Sequence, residues 1–141
     1  MGITEIYVNK FHLVFFLAAA SVAGCDNKEA NVADSPAKTA ERFLECAGTI
    51  KQIAAYTKSL GDPNHGAYDN LGTIYMRAGS NLSDPMYAAK ATQKYMQLTS
   101  LKIDQMASAK DVDAIVDYLK SQLNTCSSLA DKHKKEFEAA K

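Results

Sequence analysis

The chain contains 141 residues, of which 16 are basic and 16 acidic, so its formal net charge is zero. This length allows one domain of moderate size, and the balanced charge excludes the broadly basic surface with which nucleic-acid-binding proteins neutralise phosphates. One basic cluster occurs near the C-terminus, and we interpret it as positive charge placed favourably at the end of a helix. It consists of Lys132, His133, Lys134 and Lys135.

The first 24 residues are predicted to be an export signal that is removed. Lys10 supplies a basic residue, residues 13–20 form an apolar segment, and residues 22–24 are small or short side chains of the kind that precede a cleavage site. The apolar stretch at 11–24 is shorter than the about 20 residues that a membrane-spanning helix needs. We therefore expect a targeting segment and not a permanent span.

A cysteine follows this apolar segment directly, and the sequence Val22-Ala23-Gly24-Cys25 resembles the lipobox of bacterial lipoproteins. The resemblance implies that the Cys25 thiol is lipidated and that Cys25 becomes the new N-terminus, with acyl chains sufficient for stable anchoring. In that family an aspartate after the lipidated cysteine tends to hold the protein at the inner membrane in enteric bacteria, and Asp26 occupies this position. The resemblance covers the leader alone. An ordinary signal peptide or a coincidental cysteine is the alternative.

Residues 25–35 are predicted to be the lipidated N-terminus and a linker, because their polar composition is typical of a flexible tether. Ser35 followed by Pro36 is a helix N-cap followed by proline at the first helical position, so we expect the folded domain at residues 36–141. The lipobox resemblance implies that this domain is anchored by lipid in the bacterial cell envelope and faces the periplasm, with the inner membrane favoured by Asp26.

Two helices are predicted in the first half of the domain. A helix of about 24 residues begins at Pro36 and is stopped by the Gly-Asp-Pro-Asn sequence at 61–64. A shorter helix is predicted at about residues 67–78, although Gly66 and Gly72 weaken it. The apolar positions that define the first helix are Phe43, Cys46, Ile50, Ile53 and Leu60.

Two further helices are predicted in the second half. Asp84 is predicted to be the N-cap of the third helix, with Pro85 at its first helical position, as Ser35 and Pro36 are for the first helix. The third helix is predicted to extend to about Met106. Ser108, with Asp111 three residues later, resembles a capping box for a fourth helix that runs almost to the C-terminus. The predicted apolar seam of the third helix is Ala88, Ala91, Tyr95, Leu98 and Leu101. That of the fourth is Val112, Ile115, Val116, Leu119, Leu123, Cys126, Leu129 and Phe137.

These patterns predict an all-α fold. No segment shows the alternation of apolar and polar positions that is typical of a strand. Short connections between the helices favour antiparallel neighbours. We therefore expect a small up-and-down bundle of about four helices, preceded by the cleaved signal peptide and the flexible tether.

Two cysteines remain once Cys25 is assigned to lipid, and both lie on predicted apolar seams of a chain that the leader sends to an oxidising compartment. In an antiparallel bundle Cys46 and Cys126 fall within roughly 7 Å of the same height. We predict a disulfide between the first and the last helix. A redox-active pair or a metal site is the functional alternative, but the sequence has no Cys-x-x-Cys motif and no metal-ligand spacing beside either cysteine.

Catalytic motifs are missing from the sequence, which contains no Gly-x-Ser-x-Gly elbow, no phosphate-binding glycine-rich loop and no His-Glu-x-x-His. We therefore predict that the protein is not an enzyme, has no cofactor and no metal site, and binds no evident small-molecule substrate. Asp111, Asp113 and Asp117 could form a cation or partner site, but we interpret them as a hydrated helix face.

Tyrosines concentrate around residues 61–87, which makes this middle region the first candidate for a partner-binding surface. Tyrosine buries a large area at a small entropic cost and keeps a polar tip, and so it is enriched at interfaces, although it also suits the rim of a small core. The candidate partner-binding residues are His65, Tyr68, Tyr75 and Tyr87.

The leading hypothesis for function is therefore a lipid-anchored periplasmic protein that binds another protein of the cell envelope, as immunity, inhibitor or exclusion proteins do. The similarity to such proteins is one of size and helix content, and no diagnostic motif supports it. The alternative is an accessory structural subunit of a secretion or conjugation assembly.

Overall fold

The computed structural model describes residues 34–141. The predicted signal peptide, the lipidation site Cys25, the sorting residue Asp26 and most of the linker lie outside the described residues. Within 34–141 the chain is helical and contains no strand, which confirms the all-α prediction. None of the described helices is long and apolar enough to cross a membrane.

Four long helices and one short helix follow each other along the chain. They are α1 (Pro36–Ser59), α2 (His65–Asn81), α3 (Pro85–Ser108), α4 (Val112–Lys132) and α5 (Lys134–Glu138). Short turns connect α1 to α4, so consecutive helices run in opposite directions. The start of α1 meets the end of α4, where Asp34 and Lys132 form an ion pair of 3.1 Å. The predicted up-and-down order is therefore confirmed.

The starts of three helices are fixed by polar side chains. The Ser35 hydroxyl accepts a hydrogen bond from the backbone nitrogen of Lys38 at 3.3 Å, and the Asp84 carboxylate accepts one from the nitrogen of Met86 at 2.9 Å, as their sequence predicts. The cap of α4 was predicted at Ser108, and this is wrong. Ser108 is the last residue of α3, and the carboxylate of Asp111 caps α4.

The predicted fourth helix does not run almost to the C-terminus, because it ends at Lys132. His133 has φ −116° and ψ 47°, outside the helical range, and its ring packs edge-on against Phe43 of α1 with a centroid distance of 6.0 Å. The chain then turns back as α5. The ring of Phe137 on α5 lies 4.9 Å from the ring of Tyr75 on α2.

Helix α1 is the centre of the fold and is in contact with α2, α3 and α4. Two glycines allow its neighbours to approach closely. A Cβ atom at Gly48 of α1 would lie 2.5 Å from the backbone oxygen of Thr92 on α3, and one at Gly79 of α2 would lie 2.6 Å from the side chain of Leu44 on α1. A larger residue at either position would force the helices apart.

The close approach of α1 and α3 explains an error in the predicted seam of α3. Leu98 and Leu101 were expected in the core, yet their side chains are 50% and 59% exposed. The space beside Gly48 is too narrow for leucine, so α3 turns small and short side chains towards α1. The buried residues of α3 are Ala88, Ala91, Thr92, Thr99 and Ile103.

A disulfide joins Cys46 of α1 to Cys126 of α4, with the two Cα atoms 5.6 Å apart, as predicted. Both cysteines are almost completely buried. The disulfide lies in a core formed mainly by α1 and α4 with the tyrosines of α2. Its most buried members from α1 are Phe43, Ala47, Ile50 and Ile53, and from α4 they are Ile115, Leu119 and Leu129.

Candidate functional site

A groove separates α2 from α4, because these two helices do not pack directly against each other. Its volume is about 730 Å³, and α5 closes one end. Ile50 of α1 contributes to the floor, while side chains of α2 and α4 form the walls. The large apolar residues that line the groove are Tyr68, Leu71, Tyr75, Leu123 and Phe137.

Tyr75 links the two walls of the groove. Its hydroxyl donates a hydrogen bond of 2.6 Å to the backbone oxygen of Cys126, which the disulfide connects to α1. Burial, together with the negative charge of Asp131, raises the pKa of Tyr75 well above its usual value of 10.0. The hydroxyl therefore keeps its proton and acts as a donor, and this contact fixes the width of the groove.

Charged residues at the rim are distributed unevenly. The acids that line the groove, Asp131 and Glu138, are close to α5, where the Lys141 ammonium forms an ion pair of 2.8 Å with Glu138. Lys134 is also at this end. The opposite end carries Lys120, which forms no ion pair with the residues that the structure describes. The open end of the groove is therefore positive without a compensating acid in its lining.

A second surface lies on α3 and is called the α3 face. It consists of Met86, Tyr87, Leu98 and Leu101, whose exposed fractions are 67%, 49%, 50% and 59%. At 100° per residue these four positions fall within about 120° of one side of the helix. Scattered exposed apolar residues are ordinary on protein surfaces, but a group on one side of one helix is typical of an interaction site.

Tyr87 of the α3 face is held against α1. The carboxylate of Glu41 accepts hydrogen bonds from the hydroxyls of both Tyr87 and Tyr95. These hydrogen bonds lower the pKa of Glu41, and the bond from Tyr87 raises the pKa of that tyrosine. The ammonium of Lys94 lies 5.2 Å from the centre of the Tyr95 ring. The orientation of Tyr87 is therefore set before any partner arrives.

The structure divides the four candidate partner-binding residues among three places. Tyr68 and Tyr75 lie together on the wall of the groove, with exposed fractions of 7% and 2%. His65 begins α2, where its Nδ1 donates to the backbone oxygen of Asp62 at 2.7 Å. Tyr87 bonds to Glu41, which is nine positions from Ile50 and thus on the opposite side of α1 from the groove floor. Residues 61–87 do not form one surface.

The sequence prediction named two residues of the groove, Tyr68 and Tyr75, and one of the α3 face, Tyr87, but it recognised neither surface. The signal for the α3 face was present in the sequence, since Gly48, Ala88 and Ala91 are small residues that permit a close helix contact. If these small residues are assigned to the contact between α1 and α3, the larger Leu98 and Leu101 are expected on the solvent-exposed side of α3. No corresponding signal marks the groove, because its apolar lining has the same spacing as core residues.

Among residues 34–141 no group of three or more His, Cys, Asp or Glu side chains is arranged to hold a metal ion. Asp111 caps α4 by accepting a hydrogen bond of 2.9 Å from the backbone nitrogen of Ala114. Comparison of the chain with protein-family models, with curated proteins and with solved structures finds no match. The groove and the α3 face are therefore the two candidate functional surfaces of the part of the chain that the structure describes.

Proposed function

We propose that this protein is a lipid-anchored helical protein of the bacterial cell envelope that faces the periplasm and acts by binding another protein, as immunity, inhibitor or exclusion proteins do. The observation that supports this proposal best is the α3 face. All the large hydrophobic residues that are strongly exposed among residues 34–141 are found there. Their removal from water by a partner would supply the main driving force for association.

The geometry of the α3 face suits binding. The hydrogen bond to Glu41 holds Tyr87 in one orientation, so less side-chain entropy is lost on association. The face extends from Met86 to Leu101, which corresponds to about 22 Å along the helix axis. Lys90 and Lys94 are interspersed on the same side, and therefore the favoured partner surface is apolar with acidic groups at its margin.

The groove is less suited to a protein partner, because its tyrosines are already buried and Tyr75 already has a hydrogen-bond acceptor. The proposal also includes the anchor. The described part of the chain begins at the pole of the bundle where α1 starts and α4 ends, so the tether leaves from that pole. The α3 face extends along the side of the bundle and begins near that pole, where Tyr87 contacts Glu41 of α1.

The experiment is cross-linking and affinity purification of the tagged full chain from bacterial membranes. A Leu98→Glu, Leu101→Glu variant is compared with a Ser121→Glu, Ser128→Glu variant, which adds the same charge to exposed positions of α4. We expect the first variant to lose its cross-linked partner and the second to retain it. Recovery of one partner protein supports the proposal. Recovery of a large membrane assembly supports the structural subunit, and equal recovery by both variants contradicts the α3 face.

A further inference from the structure

The groove between α2 and α4 has the dimensions of a small-molecule site. Its volume of about 730 Å³ lies inside the range of roughly 300 to 1,000 Å³ that is usual for ligand pockets. It is bounded by α1 below, by α2 and α4 at the sides and by α5 at one end. A site enclosed in this way suits a compact ligand better than it suits the broad surface of a folded protein.

The lining of the groove is chemically suited to an alkyl chain. Leu71, Leu123 and Phe137 project from three different helices, and Ile50 lies beneath them. The hydroxyl of Tyr75, which could otherwise attract a polar ligand, is already bonded to the backbone oxygen of Cys126. Leu71, Leu123 and Phe137 therefore offer an apolar surface beside the polar groups of Tyr68 and Ser127, and an alkyl chain gains free energy by leaving water for it.

The charges at the rim of the groove indicate which head group a ligand would carry and at which end of the groove that head group would bind. Lys120 is exposed and has no acidic partner among the described residues, and Asn124 lies one helical turn further along α4. Together they offer an ammonium and an amide donor at the open end. At the α5 end the two acids are balanced by two lysines, whereas the lining of the open end has Lys120 and no acid. The residues at the α5 end are Asp131, Lys134, Glu138 and Lys141.

We propose that this groove binds the free carboxylate form of a medium-chain fatty acid such as dodecanoate, with the carboxylate beside Lys120 and Asn124 and the alkyl chain directed along Leu71 and Leu123 towards Phe137. This function lies beyond the proposed binding of a protein partner. It uses a different face of the bundle, since Tyr87 and Glu41 are on the opposite side of α1 from Ile50.

The test uses the full chain reconstituted into phosphatidylcholine vesicles. Dodecanoic acid with a diazirine on its alkyl chain is added, the sample is irradiated, and peptides that carry adducts are identified by mass spectrometry. We expect adducts on α2, α4 and α5 and not on α3. Dodecanoate should compete for labelling, whereas dodecyltrimethylammonium, which has the same chain length and the opposite charge, should not.

Two substitutions with matched controls locate the site. Lys120→Glu should reduce labelling about fivefold, as expected for the loss of one exposed ion pair, while Lys102→Glu on α3 should leave it unchanged. Ala67→Trp fills the open end of the groove and should abolish labelling, whereas Ala107→Trp on α3 should not. Circular dichroism of each variant establishes that the helices are retained. If Ala67→Trp loses its helices, Lys120→Glu with its control decides the question.

Three results would overturn the proposal. Adducts spread over all helices would show non-specific partition, and equal competition by the two amphiphiles would remove the role of Lys120. Adducts that appear in the groove only after Cys25→Ser would show that the chain's own acyl group occupies it. None of these results bears on the protein partner, whose capture depends on Leu98 and Leu101.

Discussion

The hydroxyl of Tyr75 on α2 donates a hydrogen bond of 2.6 Å to the backbone oxygen of Cys126 on α4. The side chain of the same cysteine is bonded to Cys46 on α1. Three helices therefore meet through one residue, and both attachments, the hydrogen bond and the disulfide, are made by residues that are almost fully buried. In the absence of direct packing between α2 and α4, this hydrogen bond is what holds the two walls of the groove at a fixed separation.

We expect Tyr75→Phe to lower the free energy of unfolding by about 1 kcal/mol, which is the usual net value of one buried hydrogen bond. The ring and its contact with Phe137 are retained, so the decrease in the free energy of unfolding measures the contribution of the hydroxyl alone. Urea titration followed by circular dichroism measures the effect. Tyr118→Phe on α4 is the control, because that tyrosine is only partly buried and packs at the edge of the core. An equal loss in both variants would contradict the role of the Tyr75 hydroxyl.

Reduction of the disulfide should destabilise the protein strongly. The two cysteines are separated by 80 positions, and closing a loop of this size in the unfolded chain corresponds to about 4.5 kcal/mol in the chain-entropy description. The urea midpoint should therefore fall sharply when dithiothreitol is added. The Cys46→Ala, Cys126→Ala variant should start from the lower midpoint and show no response to the reductant. A response in that variant would mean that the reductant acts elsewhere.

Gly48→Ala should destabilise the bundle by about 3 kcal/mol, because the new methyl group meets the backbone of α3 and neither helix can yield locally. Gly66→Ala is the matched substitution, since a Cβ at Gly66 has open space around it. Alanine in a helix is more favourable than glycine, so this variant should gain about 0.5 to 1 kcal/mol. The two thermal unfolding curves should thus move in opposite directions, and a shift of both in one direction would refute the close contact.

Asp34 makes stability depend on pH at the pole where α1 begins. Its carboxylate accepts hydrogen bonds from Lys132 and Arg42 and forms an ion pair with Lys38. Lys132 first, and then Lys38, hold the pKa of Asp34 well below its usual value of 3.8. Because the folded pKa is lower than the unfolded pKa, the stabilisation is present above the unfolded value. It is lost as the pH falls below about 4 towards the folded pKa.

The measurement that isolates this residue is the difference in urea midpoint between the wild type and Asp34→Asn across pH. The wild type should have the higher midpoint at pH 7, and the difference should shrink as the pH falls below about 4. Asp104→Asn on α3 is the control, because Asp104 forms no ion pair with the described residues. A difference that stays constant down to pH 2 would show that the Asp34 carboxyl has the same pKa in the folded and unfolded states.

Most of the helical framework could be predicted because its signals are local. Ser35-Pro36 and Asp84-Pro85 fix two helix starts whatever surrounds them, and the periodicity of Phe43, Ile50 and Ile53 requires only that one side of α1 be buried. The disulfide was predicted because the apolar periodicity places both Cys46 and Cys126 on buried sides of their helices, and the antiparallel order of the helices brings the two cysteines to a similar height. The helix starts and the buried side of α1 needed no knowledge of which helices touch, whereas the disulfide also rested on the assignment of Cys25 to lipid and on the expected antiparallel bundle.

The candidate surfaces were not predicted, because they depend on which helices touch and how closely. Whether Leu98 is buried depends on how near α3 comes to Gly48, which is 50 positions away in the chain. Gly72 was interpreted as a weakness in α2, yet it is buried against Lys51 where α2 meets α1. The groove depends on the absence of a contact between α2 and α4, and sequence periodicity carries no information about such an absence.

The position of the disulfide has a consequence for proteolysis. The turns that connect α1, α2, α3 and α4 all lie between Cys46 and Cys126, and turns are where proteases cut most readily. A single cleavage in any of them leaves two fragments that are still joined by a covalent bond. A nicked molecule would therefore keep the groove and the α3 face in one covalently linked molecule, and it would migrate as two bands only after reduction.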